Sequence, residues 1–254
     1  MAVEVSEPRP GITLVVLNNP GRRNALSEDD FRHLAALWPS LDASEARCIV
    51  LTGAGEAFCS GADLSANLPE LSDIEQLIDR VFLKTAPFRK PMVAAINGDC
   101  VAGGLELAMA CDIRICAISA RLGFPEARWG IFPAGGGAIR LAAEIGHAQA
   151  AELMMTGRLI DGNEAMRMGL VNRTLAFPGE VLPAALDLAE AIARNSPVAV
   201  SAIKQYMSAA RRPAEDLLTL EKALAAKVRA SDDAKEGARA FLEKGMPDYK
   251  RNPG

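Results

Sequence analysis

Apolar residues follow two rhythms along this chain. Four short runs, 12–17 (ITLVVL), 48–52 (CIVLT), 92–96 (MVAAI) and 113–117 (IRICA), have the length and β-branched content of strands. Between the first two, Phe31, Leu34, Trp38 and Leu41 recur at spacings of three and four, behind Ser27 and an acidic first turn. That pattern predicts an N-capped amphipathic helix. His33 falls off the apolar stripe and reads as a surface histidine. A second helix is predicted over 147–156, stopped by Gly157, and a third begins at Asp161, with Glu164 at capping-box spacing. From about Asn195 the strand rhythm disappears, and helices are predicted over 197–211, 214–230 and 233–244. No internal repeat and no low-complexity linker interrupts the chain. The order predicts a layered α/β core followed by a helical C-terminal region.

Composition narrows the chemistry. With 254 residues, half of them hydrophobic and 24% charged, the chain can bury a sizeable core. No uncharged stretch exceeds the twelve residues from 10 to 21, too short for a membrane-spanning helix, and the acidic N-terminus lacks the pattern of a signal peptide. A cytoplasmic protein without a membrane partner is expected. The net charge of −4 gives no general attraction to polyanions, so nucleic acid is not an expected partner, although the region from Lys204 onward carries eleven Lys/Arg against eight Asp/Glu. Five cysteines without a CxxC pair and only two histidines make a disulfide framework or metal site improbable. Acid–base chemistry therefore falls to carboxylates.

Three glycine-rich segments are candidates for it. In 51–64 (LTGAGEAFCSGADL), Ser60 to Asp63 offer small side chains where a ligand can approach the backbone, although a plain strand-to-helix loop reads the same way; neither a Walker loop nor a dinucleotide fingerprint is present. In 97–112 (NGDCVAGGLELAMACD), Gly103 and Gly104 open a helix whose free N–H groups suit a developing oxyanion. Glu106 lies in its first turn, where it either reacts or merely complements the helix dipole. In 122–139 (LGFPEARWGIFPAGGGAI), Glu126 stands among apolar residues that would raise its pKa, the alternative being an ion pair with Arg121 or Arg128.

The combination resembles the crotonase superfamily of enoyl-CoA hydratases and isomerases over nearly the whole length. The matching motifs are Asn18-Asn19-Pro20 with Asn24-Ala25-Leu26, residues 51–64, Ala95-Ile96-Asn97-Gly98, Gly103-Gly104-Leu105-Glu106-Leu107-Ala108, Pro125-Glu126, residues 133–136, and Asp232 through Glu236-Gly237 to Ala240-Phe241. The resemblance implies a crotonase spiral α/β core of repeated ββα units over 1–194, and a helical trimerisation region over 195–254, giving a homotrimer or a dimer of trimers. It implies an acyl-CoA thioester substrate and no cofactor or metal.

By the same resemblance, the N–H groups of Ala62 and Gly103 form the oxyanion hole for the thioester carbonyl. Glu106 activates a water and Glu126 supplies a proton to Cα, so the implied reaction is reversible syn hydration of a trans-2-enoyl-CoA. Isomerisation, hydrolysis or decarboxylation on the same scaffold is the alternative, and a non-enzymatic RNA-binding relative a more remote one. Arg22, Arg23, Ala25, Gly61, Asp63, Leu64 and Gly104 match the CoA and pantetheine region. Trp129, Phe132 and Ala134 border the acyl pocket, and Phe241, Tyr249 and Lys250 resemble the tail that completes the CoA site. The chain departs from the family pattern at Ala134, where many hydratases have glycine, and at Gly245, where arginine is frequent.

Overall fold

A strand buried on both faces can satisfy its backbone only through neighbouring strands, so the apolar runs pair with one another. The computed structural model describes residues 3–249 other than 67, 69–70, 86–87 and 211–214. In it β1 (Val3–Arg9) folds back antiparallel on β2 (Ile12–Leu17), and α1 (Glu28–Ala43) leads to β3 (Cys48–Gly53), whose residues are all buried. A unit of long strand, short strand and helix then repeats. β3 is followed by β4 (Ala57–Cys59) and α2 (Ile74–Val81), and β5 (Met92–Ile96) by β6 (Asp99–Val101) and α3 (Gly103–Ala110). β7 (Ile113–Ala117) is followed by β8 (Arg121–Gly123), a 3-10 turn (Pro125–Trp129) and α4 (Gly137–Ile145). Next come α5 (His147–Thr156), β9 (Ile160–Asp161), α6 (Gly162–Met168), β10 (Arg173–Leu175) and α7 (Val181–Ala193), and finally α8 (Pro197–Ala210), α9 (Glu215–Arg229) and α10 (Asp232–Leu242).

Among the described residues the long strands, with the three-residue β10 at one edge, form one sheet in the order β1-β2-β3-β5-β7-β10, and the remaining short ones a second in the order β4-β6-β8-β9. Both are parallel except at the β1–β2 and β8–β9 pairs. Helix α7 covers β3 and β5. Successive units thus wind as a spiral, as expected, and the predicted strands are β2, β3, β5 and β7.

The helix signals also act as the sequence implies. Ser27 and Asp30 close a capping box on α1, and Phe31, Leu34, Trp38 and Leu41 are buried, with Trp38 Nε1 donating to the Val81 carbonyl at 2.9 Å. His33 is a correction: it is half-buried rather than on the surface, and its Nδ1 is buried without a partner among the described residues. Asp161 caps α6 by accepting from Glu164 N–H at 2.7 Å, but the Glu164 carboxylate turns to Arg158 at 2.8 Å instead of closing the box. The expected ends at Arg211 and Ala214 lie outside the described residues. No helix among the described residues is long and apolar enough to cross a membrane.

Candidate active site

The site follows from the parallel ladder of the small sheet. Cys59 pairs with Cys100, and Cys100 with Leu122, so β4, β6 and β8 release the chain side by side at the same end. Those exits are Gly61-Ala62, Ala102-Gly103 and Pro125-Glu126. Leu26 N–H donates to the Gly61 carbonyl at 2.8 Å and Asp63 N–H to the Leu26 carbonyl at 2.9 Å. In such a parallel bridge the residue between the two partners turns its own N–H away, here that of Ala62. Gly103 N–H, in the first turn of α3, has no intrahelical acceptor. Neither group has an acceptor among the described residues, and the two exits touch: a Cβ on Gly103 would lie 3.4 Å from Gly61 Cα and 3.6 Å from Ala62 N. Ala102, at φ 52° and ψ −131°, holds the corner in a conformation that L-residues rarely adopt, with its carbonyl accepting from Leu105 and Glu106 N–H.

Beside these donors lie two buried carboxylates. Glu106 Oε1 accepts from Gly137 N–H at 2.9 Å, and Gly135 N–H faces the same group. Glycine is required at both positions, because a Cβ on Gly135 would overlap Glu106 Oε2 and one on Gly137 would come 2.6 Å from the Phe124 ring. Burial pushes Glu106 up to about 7 and the charge of Glu221 adds to this, against the pull of Gly137, Arg140 and Gly135. Burial, and then the charge of Glu106, raise Glu126 well above the usual carboxylate range. Glu126 Oε2 is buried without a hydrogen-bond partner among the described residues. Of its two candidate partners, Arg121 pairs with Asp99 at 2.6 Å, and Arg128 Nε donates to the Thr156 carbonyl at 3.4 Å.

The other predicted residues are distributed as follows. Arg22 pairs with Asp63, which also caps Ser65 N–H at 3.0 Å, and Arg23 pairs with Asp99. Both arginine side chains stay more than half exposed, at 58% and 55%. Ala25 and Leu64 are half-buried on the segments joined by the Leu26–Ala62 bridge. A Cβ on Gly104 would overlap the Cys59 carbonyl, so this glycine serves the packing of α3 on β4. Trp129 meets Phe241 edge to face, with centroids 5.1 Å apart, and Tyr249 Oη donates to the Arg128 carbonyl at 2.6 Å. Phe241 and Tyr249 thus lie against the turn that carries Glu126. Phe132 and Ala134 are half-buried in the next segment, and Lys250 lies outside the described residues.

Sequence reasoning missed Phe82, whose buried ring lies between Gly103 and Gly135, 3.4 Å and 2.6 Å from the positions their Cβ atoms would take. It missed Asn24 as a clamp: the buried amide accepts from Asn19 N–H at 2.8 Å and donates to the carbonyls of Ala54 at 2.9 Å and Ala57 at 2.8 Å. It also missed Lys84 and Glu221, two buried charges behind the 133–137 segment, which no local pattern marks.

Paired main-chain donors flanked by two carboxylates of raised pKa make a carboxylate acid–base site with an oxyanion-binding corner. Comparison with known proteins identifies the class: the family described as enoyl-CoA hydratase/isomerase matches residues 7–252, and the chain belongs to that family. It is 39% identical to enoyl-CoA hydratase EchA19 of Mycobacterium tuberculosis over 252 residues, covering 95% of this chain and 94% of the relative. It is 35% identical to the short-chain-enoyl-CoA hydratase of Clostridium acetobutylicum over 248 residues, 94% of each chain. Among solved structures, the carnitinyl-CoA hydratase of Mycobacterium avium superposes with a TM-score of 0.89 at 32% identity, over 98% of both chains. The spiral is the crotonase fold.

Proposed function

We propose that this protein is an enoyl-CoA hydratase that adds water reversibly to a trans-2-enoyl-CoA. The observation that carries the reading is the pairing of two buried carboxylates, both of raised pKa, beside two main-chain N–H groups that have no acceptor among the described residues. Attack of water on Cβ pushes electrons onto the thioester oxygen. The N–H groups of Ala62 and Gly103 accept that charge without reorganising, and one such donor typically contributes about 3 kcal/mol. Glu106, pushed up to about 7 by burial, takes a proton from the water near neutral pH, and Glu126, whose burial and Glu106 neighbour favour its protonated form, gives its proton to Cα. The hydroxyl ends on Cβ and the proton on Cα. Passage of the proton from Glu106 to Glu126, directly or through water, resets the pair, so water and substrate balance the reaction, which calls for no redox or metal cofactor.

Arg22 and Arg23, exposed at the mouth formed by the bridged segments, supply charge for the CoA phosphates. Val198, Ile203, Tyr206 and Met207 on α8, with Leu220 and Leu224 on α9, are exposed apolar residues that suit a homotrimer or dimer of trimers. Five free, buried cysteines suit a reducing compartment such as the cytoplasm.

Loss of the conjugated thioester absorbance of a panel of enoyl-CoA esters tests the reaction. Turnover should fall by about 10²–10⁴ in Glu106→Gln and in Glu126→Gln, with folding retained. Esters that bind without being consumed, or are consumed to a shifted double bond without gain of water, would overturn hydration.

A further inference from the structure

The Lys84 side chain is only 3% exposed. Its ammonium donates a hydrogen bond to the Ala134 carbonyl at 2.8 Å and is ion-paired with Asp79 Oδ1 at 3.2 Å and Glu221 Oε2 at 2.5 Å. Its stem packs on Gly136, where a Cβ would lie 3.3 Å from Lys84 Cγ. The grip on Ala134 matters because its carbonyl belongs to the same planar trans peptide as Gly135 N–H, and the two point in opposite directions. A carbonyl held toward Lys84 turns Gly135 N–H toward Glu106. The next N–H, of Gly136, faces Glu221, and that of Gly137 donates to Glu106. Gly136, at φ +89°, allows this alternation, which a residue with a Cβ would strain. Of these three amides only that of Gly137 is hydrogen-bonded to a carboxylate; Gly135 N–H faces Glu106, and both Glu221 oxygens are buried without a hydrogen-bond partner among the described residues, with Lys84 as their ion-pair partner.

We propose that Lys84 and its ion-pair partner Glu221 are positioning residues for Glu106: Lys84 grips the Ala134 carbonyl from behind and sets which way the N–H groups of the 133–137 segment face, and Glu221 holds Lys84 in place. This rests on the assignment of Glu106 as the group that activates water. The charged groups facing Glu106 are Glu126 on the 3-10 turn, Glu221 on α9 and Arg140 on α4. Behind Glu221 stand Lys84 and Asp79 of α2, the latter also paired with Lys222 at 3.2 Å. The two positioning residues therefore act on Glu106 in opposite senses. Glu221→Gln keeps an oxygen for Lys84 but removes a negative charge, so ionising Glu106 becomes easier. Lys84→Met frees the Ala134 carbonyl and loosens the Gly135 N–H that favours the carboxylate, so ionising Glu106 becomes harder.

The test is the titration of the Glu106 carboxyl by ¹³C NMR, assigned through its loss in Glu106→Gln, alongside the pH dependence of kcat/KM. The midpoint should fall by about one pH unit in Glu221→Gln and rise by about as much in Lys84→Met, with the acid limb of the rate profile moving in step. In Lys84→Met kcat should drop at least tenfold, with KM changed by less than about twofold. Midpoints that stay in place, or move together, in folded variants overturn the proposal. If Lys84→Met does not fold, the isosteric Glu221→Gln decides alone, an unmoved midpoint overturning it. Opposite shifts in a protein that hydrates no enoyl-CoA leave the positioning role standing and refute the hydratase reading.

Discussion

Between pH 4.5 and 7 an unfolded chain gives up the Glu106 proton while the folded protein holds it, because burial raises this carboxyl from 4.5 to about 7. Protons bound more tightly in the folded state mean that stability falls as pH rises through this window, by about 3 kcal/mol once both forms are ionised. Glu106→Gln cannot ionise, so its urea midpoint should exceed that of the wild type at pH 8 and match it at pH 4.5. An equal difference at both pH values would show that the carboxylate is not penalised by burial. Glu106, in the first turn of an apolar helix, and Glu126, among Phe124, Pro125 and Trp129, stood out in the sequence as candidates, but each also fitted a plain reading, as a helix-dipole partner or an ion pair, and only the family resemblance paired them. Lys84 did not stand out. It reads as an ordinary charge near the end of a helix, and two of its three oxygen partners, those of Ala134 and Glu221, come from elements that only the tertiary fold brings to it.

At the scale of elements, the 3-10 turn Pro125–Trp129 is the least self-sufficient part of the site, since a turn so short has few internal hydrogen bonds to hold it. Helix α10 supports it from behind. A Cβ on Gly237 would overlap the Trp129 carbonyl, and one on Gly130 would fall 2.5 Å from the Asp233 carbonyl, so helix and turn meet backbone to backbone. Gly237→Ala should therefore push α10 off the turn, lowering stability by about 1–3 kcal/mol in urea unfolding and reducing turnover through Glu126. Wild-type turnover in that variant would remove α10 from the support of Glu126. β2, β3, β5 and β7 were legible as unbroken or nearly unbroken apolar runs, whereas β1, the longest strand, was not, because Glu4, Ser6, Glu7 and Arg9 interrupt it on a mostly exposed edge. Nor were β4, β6 and β8, because three residues are too few to show a period. Helix α7 was missed as well. Pro183 resembles a helix breaker, yet it sits in the first turn, where no amide donor is needed.

For the molecule as a whole, the C-terminal helices serve the site as well as any assembly. Helix α9 brings Glu221 to Lys84, and α10 backs the turn of Glu126, while the exposed apolar residues of α8 and α9 face away from these contacts. Light scattering should return about three times, or twice that again, the 26.9 kDa mass of one chain, and charged replacements at Tyr206 and Met207 should lower it. A wild-type mass of one chain would leave the apolar face without its proposed partner. The layered α/β core and the helical end were readable from rhythm, and the spiral order only through the family resemblance. Their convergence on one site was not, because it depends on strand neighbours that the chain order does not state.

The corner formed by Ala62 and Gly103 has a further consequence for how such a protein can change by descent. Its donors are main-chain amides, which every amino acid except proline supplies, so an ordinary substitution there alters access or strain but leaves the donor in place. The flanking carboxylates, by contrast, can each be lost in a single replacement. Heritable variation therefore reaches the proton-handling side chains easily and the anion-binding corner mainly through proline or a change in loop length. On the proposed mechanism, the stabilisation of the intermediate is mutationally robust, and the fate of that intermediate is readily altered.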